Sequence, residues 1–492
     1  MNARSDVSPI LPEARHPADA RAPLVVDLDG TLTPTDTLLE SIVLLLKRSL
    51  LNALKLPFWL AKGRAFFKGQ IARNVAFRGE LLPLRQPLLD YLREQKAEGR
   101  TLVLATAAHQ SIAEAVAKHV GLFDEVIATV DRNLKGREKL RAIQERIGDR
   151  FVYVGDSISD LNIWKGSKGA VIVGSPFGIG AVRRSVPIER EFPVRRFNLL
   201  TWLRALRVHQ WAKNLLVFVP LLTAFAFWEL GAIFTAALAF VSFSLAGSAT
   251  YLVNDLLDLN NDRAHPRKNR RPLASGELTI PAAMMMATIL LTAGLTLAYF
   301  VGAPFFLALL TYLIITSAYS WTLKKVMLID VLILASLYTL RILAGALAID
   351  VAISSWLLLF SIFIFFSLAL VKRCSELVSL RDTAGTATRG RNYRVSDLAI
   401  LWPMGVGAGL CSVIVFAMFI STMSVSQDYE TPQLMWLAVI GLTYWISRLW
   451  IKTARGEMHD DPLVFALKDF GSRFTIAAII AVTLVAHYIE LG

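Results

Sequence analysis

Leu24-Val25-Val26-Asp27-Leu28-Asp29-Gly30-Thr31-Leu32 is a short apolar strand running into two carboxylates one residue apart and a Gly-Thr turn. Working outward, Leu102-Val103-Leu104-Ala105-Thr106 is a second strand, ending in a hydroxyl. Asn133-Leu134-Lys135-Gly136 opens a helix, and Phe151-Val152-Tyr153-Val154-Gly155-Asp156-Ser157-Ile158-Ser159-Asp160 is a strand closing on acids. Residues 1–22 mix Pro, Ala, Arg and Asp without periodicity or the apolar core of a signal peptide, and are expected to be a disordered tail. The chain has 492 residues, 54% of them apolar and 18% charged, with a net charge of +13. That is too apolar for a wholly soluble protein and too rich in Leu, Val, Ile and Phe for a disordered one. Residues 1–200 carry 30 Lys/Arg and 22 Asp/Glu, whereas 201–492 carry 22 and 17, bunched between long apolar runs. The chain is therefore a soluble part fused to a membrane part. Two cysteines, Cys374 and Cys411, exclude a disulfide framework or a thiolate zinc site.

The four segments, in this order, resemble the four motifs of the haloacid dehalogenase (HAD) phosphatases. The resemblance covers about residues 23–195. It implies an α/β Rossmannoid domain over 23–199 with phosphate chemistry dependent on one Mg²⁺. It makes Asp27 the nucleophile and Asp29 the acid/base, with Thr106 and Lys135 on the phosphate and Lys139 as the alternative lysine. Asp27, Asp156 and Asp160 would hold the metal, together with the Asp29 backbone carbonyl. These residue types suit phosphoryl transfer, since a carboxylate can attack phosphorus, and a second can protonate the leaving oxygen and later activate water. Mg²⁺ prefers oxygen ligands. The insert at about 37–100 would be a helical cap. From Ser41 to Gly79 it has eight Lys/Arg and no Asp/Glu, interleaved with Leu, Phe58, Trp59, Phe66 and Phe67. Such a segment either lies on anionic lipid or draws in a phosphorylated substrate.

Nine spans are expected, at about 215–229, 230–253, 281–300, 303–320, 328–349, 354–371, 398–423, 432–447 and 473–489. With the N-terminus cytoplasmic, 21 of the 22 Lys/Arg beyond residue 200 fall on the cytoplasmic side, and the C-terminus lies outside. This places the chain in the cell (inner) membrane with the phosphatase-like part in the cytoplasm. The base thus marks one membrane face, and no nucleic-acid partner is expected.

Asn254-Asp255-Leu256-Leu257-Asp258-Leu259-Asn260-Asn261-Asp262 ends a helix at the membrane edge. The spacing i, i+3, i+7 stacks Asp255, Asp258 and Asp262 on one helical face. Such a cluster suits at least one Mg²⁺ held against a diphosphate. Arg263, Arg267, Lys268, Arg270 and Arg271 follow, suited to phosphate oxygens. Arg341, inside a span, either steadies a phosphate or pairs with a buried acid.

The Asn254–Asp262 signature and the nine spans resemble the UbiA-type intramembrane prenyltransferase superfamily, which implies an all-α polytopic bundle over 200–492. Further stretches resemble its decaprenyl-phosphate phosphoribosyltransferase branch. These are Arg207-Val208-His209-Gln210-Trp211-Ala212-Lys213-Asn214, Asp262 to Gly276, Tyr319 with Lys324, and Lys372-Arg373-Cys374-Ser375-Glu376. The resemblance implies substrate-binding roles for Arg207, Gln210, Lys213, Asn214, Asn254, Arg267, Lys268, Arg271, Tyr319, Lys324, Arg341, Lys372, Arg373 and Glu376. Quinone-type members carry a second Asp-x-x-x-Asp motif; here the corresponding loop has only Asp330. The expected partners are thus a polyprenyl phosphate and phosphoribosyl diphosphate, with the HAD domain removing the 5-phosphate. The alternatives are transfer of a prenyl group from prenyl diphosphate, or a membrane-anchored phosphatase whose helices bind or transport lipid. His459-Asp460-Asp461 has no metal spacing and receives no role.

Overall fold

The computed structural model describes residues 22–174, 179–194, 198–382, 391–422, 429–458 and 461–490. Residues 1–21 of the expected tail and His459-Asp460 lie outside the described residues. The chain falls into two compact units, residues 1–205 with 255–284, and residues 206–254 with 285–492.

In the first unit, β1 (Leu24–Val26) has no exposed surface on either face, as its uniformly apolar sequence requires. It is central in a six-stranded parallel sheet with β2 (Leu102–His109), β3 (Glu125–Thr129), β4 (Val152–Gly155), β5 (Gly169–Val173) and β6 (Ile188–Phe192). The order is β3-β2-β1-β4-β5-β6. Because side chains alternate across a strand, Leu24, Val26 and Leu104 feed one core, while Val25, Val103 and Tyr153 feed the other. The loops after β1, β2 and β4 leave the same sheet edge, where ligands bind in open parallel sheets.

The insert after β1 folds as helices Thr37–Arg48, Lys55–Ala61 and Arg64–Asn74. Asp36 caps the first, its side chain accepting from the Leu39 amide. The last helix of the insert, Gln86–Ala97, belongs to the domain core instead, contributing Leu88, Leu89 and Leu92.

The second unit is helical. Among the described residues, eight helices are long and apolar enough to cross a membrane: Leu230–Leu257, Ile280–Val301, Ala303–Trp321, Ile329–Ile349, Ser355–Asp382, Val395–Ile420, Pro432–Ala454 and Phe470–Tyr488. The expected span at 215–229 does not form a helix of that length. Val208–Phe218 is a 3₁₀ helix that passes into the short α-helix Val219–Thr223. At about 2.0 Å per residue, eleven 3₁₀ residues cover about 22 Å, so the two pieces together reach nearly 30 Å. The segment does run the length of its neighbours. Lys213 pairs with Asp461, nine residues before Phe470–Tyr488 begins, while Phe225 stacks on His487 and Trp228 bonds Tyr488 at that helix's far end. Ile329–Ile349 packs on it so closely that a Cβ at Gly345 would lie 2.1 Å from the Val217 carbonyl oxygen. The C-terminal helix thus ends beside the turn that precedes Leu230–Leu257.

Candidate active sites

At the carboxyl edge of the sheet, Asp27 is buried and its Oδ1 accepts from the Leu28 amide at 2.8 Å and lies 2.9 Å from Lys139 Nζ. One carboxylate oxygen each from Asp27, Asp156 and Asp160 lies within 4.8 Å of the others. Gly30 is required here twice over: its φ is +80°, and a Cβ would sit 2.3 Å from Asp156 Oδ2. The Thr31 hydroxyl donates to Asp156 at 3.0 Å. Tyr153 donates to Asp160 and accepts from Lys139, both at 3.0 Å. An all-oxygen, three-carboxylate donor set fits a hard divalent cation such as Mg²⁺. Burial, opposed by Lys139 and reinforced by Asp160, pushes Asp27 up to about 6. Burial, with Asp27 and Asp160 nearby, pushes Asp156 up to about 7. Asp29 accepts from the Thr37 amide at 2.8 Å, and burial together with Asp36 pushes it up to about 7, a value suited to giving and taking a proton near neutrality.

The lysine that reaches Asp27 is Lys139; Lys135 lines the same cavity but is outside that pair. The backbone explains the difference. Gly136, at φ +59°, starts the helix Arg137–Ile147, so Lys135 precedes it while Lys139 points inward from its first turn. Thr106 is buried within β2, which runs three residues further than the sequence suggests, to His109, and its Oγ1 accepts from the Ala108 amide. Lys68, missed in the sequence, reaches in from the cap to donate to the Ala107 carbonyl and Asn133 Oδ1. Only the absence of acids around it could have flagged it. Asp27, Asp29, Lys68, Lys135, Lys139, Asp156 and Asp160 line a cavity of about 600 Å³.

The acidic loop departs from its sequence reading. The three carboxylates do not share one helical face: Leu230–Leu257 ends one residue early, and Asp258 (φ −101°, ψ 12°) opens the separate short helix Leu259–Arg263. This break leaves Asp255 and Asp262 together, both buried, and both accepting from Arg271 Nη1 at 3.0 and 2.6 Å. Asp258 turns instead to Lys47 of the cap helix, at 3.0 Å. Two converging carboxylates still suit a hard cation, and Arg271 neutralises them here. Next to them, Arg263 makes a two-pronged pair with Glu40 at 2.8 and 2.6 Å, and both side chains are almost fully buried. Arg267 and Lys268 are exposed on the following turn, and Asn254 is half-buried.

In the helical unit, Asp461 accepts from Lys213 at 2.8 Å, Lys372 at 3.1 Å and the Tyr338 hydroxyl at 3.3 Å. Burial would raise its carboxyl, but Lys372 and Lys213 hold it below the ordinary carboxylate range. Asp461 receives no role from the sequence alone, because its partners lie up to 248 residues away. Arg341 is buried and donates to Asn214 Oδ1 (2.9 Å), the Leu337 carbonyl (2.7 Å) and the Tyr312 hydroxyl (2.9 Å). Among the described residues it pairs with no carboxylate. It shares a small cavity with Gln210, Trp211, Asn214 and Tyr251, and Arg207 lies over the Tyr251 ring. Asp330 is fully buried against Arg373 (2.9 Å) and the Tyr393 hydroxyl, and Glu376 joins Arg373 to Arg391. Tyr319 lies in the last turn of the helix Ala303–Trp321, and Lys324 lies on the turn after it.

Comparison with known proteins agrees with both halves. The UbiA prenyltransferase family matches residues 217–476, and the haloacid dehalogenase-like hydrolases match residues 24–165. An uncharacterized protein of Sinorhizobium fredii, y4nM, is 37% identical over 94% of this chain and 90% of its own. A decaprenyl-phosphate phosphoribosyltransferase of Mycolicibacterium smegmatis is 31% identical over 55% of this chain and 88% of its own. Among solved structures, a UbiA homolog from Archaeoglobus fulgidus bound to GPP and Mg²⁺ aligns with 59% of this chain and all of its own, at 18% identity and a TM-score of 0.44.

Proposed function

From the premise that this multi-pass chain belongs to the UbiA prenyltransferase family and carries an N-terminal HAD-like domain, we propose that it makes a polyprenyl phosphoribose in two steps. In the first, an oxygen of polyprenyl phosphate attacks the anomeric carbon of phosphoribosyl diphosphate. The bond from that carbon to the diphosphate oxygen breaks, and diphosphate leaves. Asp255 and Asp262, with Asp258, are the metal-holding acids. Arg271, Arg267, Lys268, Lys213, Lys324 and Arg341 bind phosphate oxygens, with Asn254, Gln210 and Asn214 as neutral partners. Arg207, Tyr319, Lys372, Arg373 and Glu376 complete the substrate-binding set.

In the second step, the Asp27 carboxylate attacks the 5-phosphate. The ester bond breaks, and the ribose oxygen takes a proton from Asp29. Water, deprotonated by Asp29, then releases inorganic phosphate and restores Asp27. Lys139, Lys135 and Thr106 neutralise the phosphoryl oxygens, and Asp156 and Asp160 complete the metal site. Bound Mg²⁺ at either site supplies charge neutralisation to phosphate oxygens. The chain is read as a multi-pass protein of the cell (inner) membrane, with the N-terminus and the HAD domain cytoplasmic and the C-terminus outside.

The observation that carries the choice of donor is Asp330. It is the only acid between Tyr319 and Ile349, and it is fully enclosed by Arg373 and Tyr393. The loop therefore offers lysines rather than a second carboxylate pair, which favours a sugar or lipid phosphate over a second metal cluster. The test is purified protein with Mg²⁺, polyprenyl phosphate and labelled phosphoribosyl diphosphate. Lipid-linked pentose is expected. Label incorporated only from prenyl diphosphate would replace this reading with prenyl transfer to an acceptor.

A further inference from the structure

The cap of the phosphatase domain carries an exposed apolar surface at the rim of the Asp27 cavity. Helix Lys55–Ala61 buries none of its seven residues. Leu51 is 72% exposed, Leu54 68%, Phe58 74% and Leu60 52%. Lys55, Lys62 and Arg64 are exposed among them, and no acid occurs between Ser41 and Gly79. A face this apolar and this basic in a soluble domain is costly unless something covers it.

Its place in the fold says what does. Leu60, Arg64 and Phe67 line the cavity that holds Asp27 and Asp29, and Thr279, Ile280 and Pro281 line the same cavity. Ile280 and Pro281 open the 22-residue apolar helix Ile280–Val301, whose length of about 33 Å matches a bilayer core of about 30 Å. The first residues of an apolar span are where hydrocarbon gives way to lipid headgroups, and here they share a cavity wall with Leu60, Arg64 and Phe67.

We propose that the cap segment Leu51–Phe67 is a membrane-interfacial element. Its exposed leucines and Phe58 sit among the acyl chains of an anionic bilayer, while Lys55, Lys62 and Arg64 meet the lipid phosphates. The phosphatase cavity then opens at the lipid headgroups, and its apolar wall (Leu38, Leu39, Leu60, Phe67) receives the tail side of an amphiphilic phosphate ester. This deepens the proposed second step and rests on the reading of Asp27 as a phosphatase nucleophile, but the membrane contact itself does not depend on the substrate's identity.

The test uses the full chain, with Cys411 replaced by serine, in nanodiscs of phosphatidylcholine with or without phosphatidylglycerol. A fluorophore is attached at Phe58→Cys, at Leu51→Cys as a second site, and at Arg93→Cys as a water-facing reference. Labels at 58 and 51 are expected to be quenched by nitroxide-bearing lipids and shielded from aqueous iodide, more strongly with phosphatidylglycerol; the label at 93 should behave oppositely. Iodide quenching at 58 and 51 without lipid quenching overturns the proposal. So does shielding from both quenchers, the signature of a second copy or a protein partner on this face. In the companion pair Leu54→Ser/Phe58→Ser, hydrolysis of para-nitrophenyl phosphate should persist while hydrolysis of a bilayer-embedded lipid phosphate falls. Loss of both reactions, or of neither, overturns the substrate-side claim. Lipid quenching without any lipid-linked pentose would sink the proposed function and leave the interfacial cap standing.

Discussion

Replacing Glu40 by alanine tests the joint between the phosphatase cap and the acidic loop. Among the described residues the Arg263 guanidinium would keep only the Ala274 carbonyl, at 3.1 Å, in a place where its side chain is 5% exposed. Removing one partner of a buried ion pair costs about 3–5 kcal/mol, because the remaining charge is stranded. The exposed pair Lys47–Asp258, with side chains 38% and 32% exposed, is worth roughly 0–1 kcal/mol by contrast. At 1.36 kcal/mol per decade, Glu40→Ala should raise the local opening constant by roughly two to four orders of magnitude. Amide hydrogen exchange over Thr37–Arg48 and residues 258–271 of the full chain reads that constant directly. Arg263→Ala should behave alike. The double variant should cost well below the sum of the two, since it strands no charge. Lys47→Ala, an internal control, should move exchange by less than about tenfold. An acceleration below about tenfold in Glu40→Ala, or strict additivity in the double variant, would refute the claim that this pair is buried and coupled.

Three further outcomes follow from the same geometry. Asp27→Asn should lower hydrolysis of the lipid 5-phosphate by roughly three orders of magnitude or more, so that mass spectrometry finds the phosphorylated lipid accumulating; a dephosphorylated product at wild-type yield would remove Asp27 as nucleophile. Asp27 at about 6 and Asp29 and Asp156 at about 7 all stand above the ordinary 3.8, so each binds a proton more tightly folded than unfolded. The sign is that metal-free stability falls as pH rises from about 4 to about 7, by up to about 1.4 kcal/mol per pH unit for each group. Mg²⁺ needs the carboxylates ionised, so its upward shift of the Tm should be larger at pH 8 than at pH 5.5, and an equal shift at both would contradict the site. Gly345→Ala places a methyl 2.1 Å from the Val217 carbonyl oxygen and should cost about 1–3 kcal/mol, read as a lower Tm of the detergent-solubilised protein.

Much of both halves was legible in the sequence, because strand tips and membrane helices are local patterns. The run Leu24–Leu32 holds its apolar residues, its acids and its glycine within nine positions, and they form a buried strand, carboxylates just beyond its tip and a turn glycine at φ +80°. Eight of nine expected spans are long helices for the same reason. The first was legible only in part, since hydropathy records how apolar a segment is and not whether it winds as 3₁₀ or α. The periodic argument for Asp255, Asp258 and Asp262 went astray where it assumed an unbroken helix. One break at Asp258 separates it from the other two, and spacing alone carries no signal of that break.

By itself, then, the sequence determined a phosphate-handling α/β domain joined to an apolar helical bundle, because hydropathy, charge bunching and motif order need no partners to be read. Only the tertiary structure decided which charges meet. It set Lys139 rather than Lys135 against Asp27, joined Glu40 to Arg263 across 223 residues, and enclosed Asp461 between Lys213 and Lys372. A buried charge is stable only beside its counter-ion, and the identity of that counter-ion is settled by packing between distant segments, which no local pattern contains.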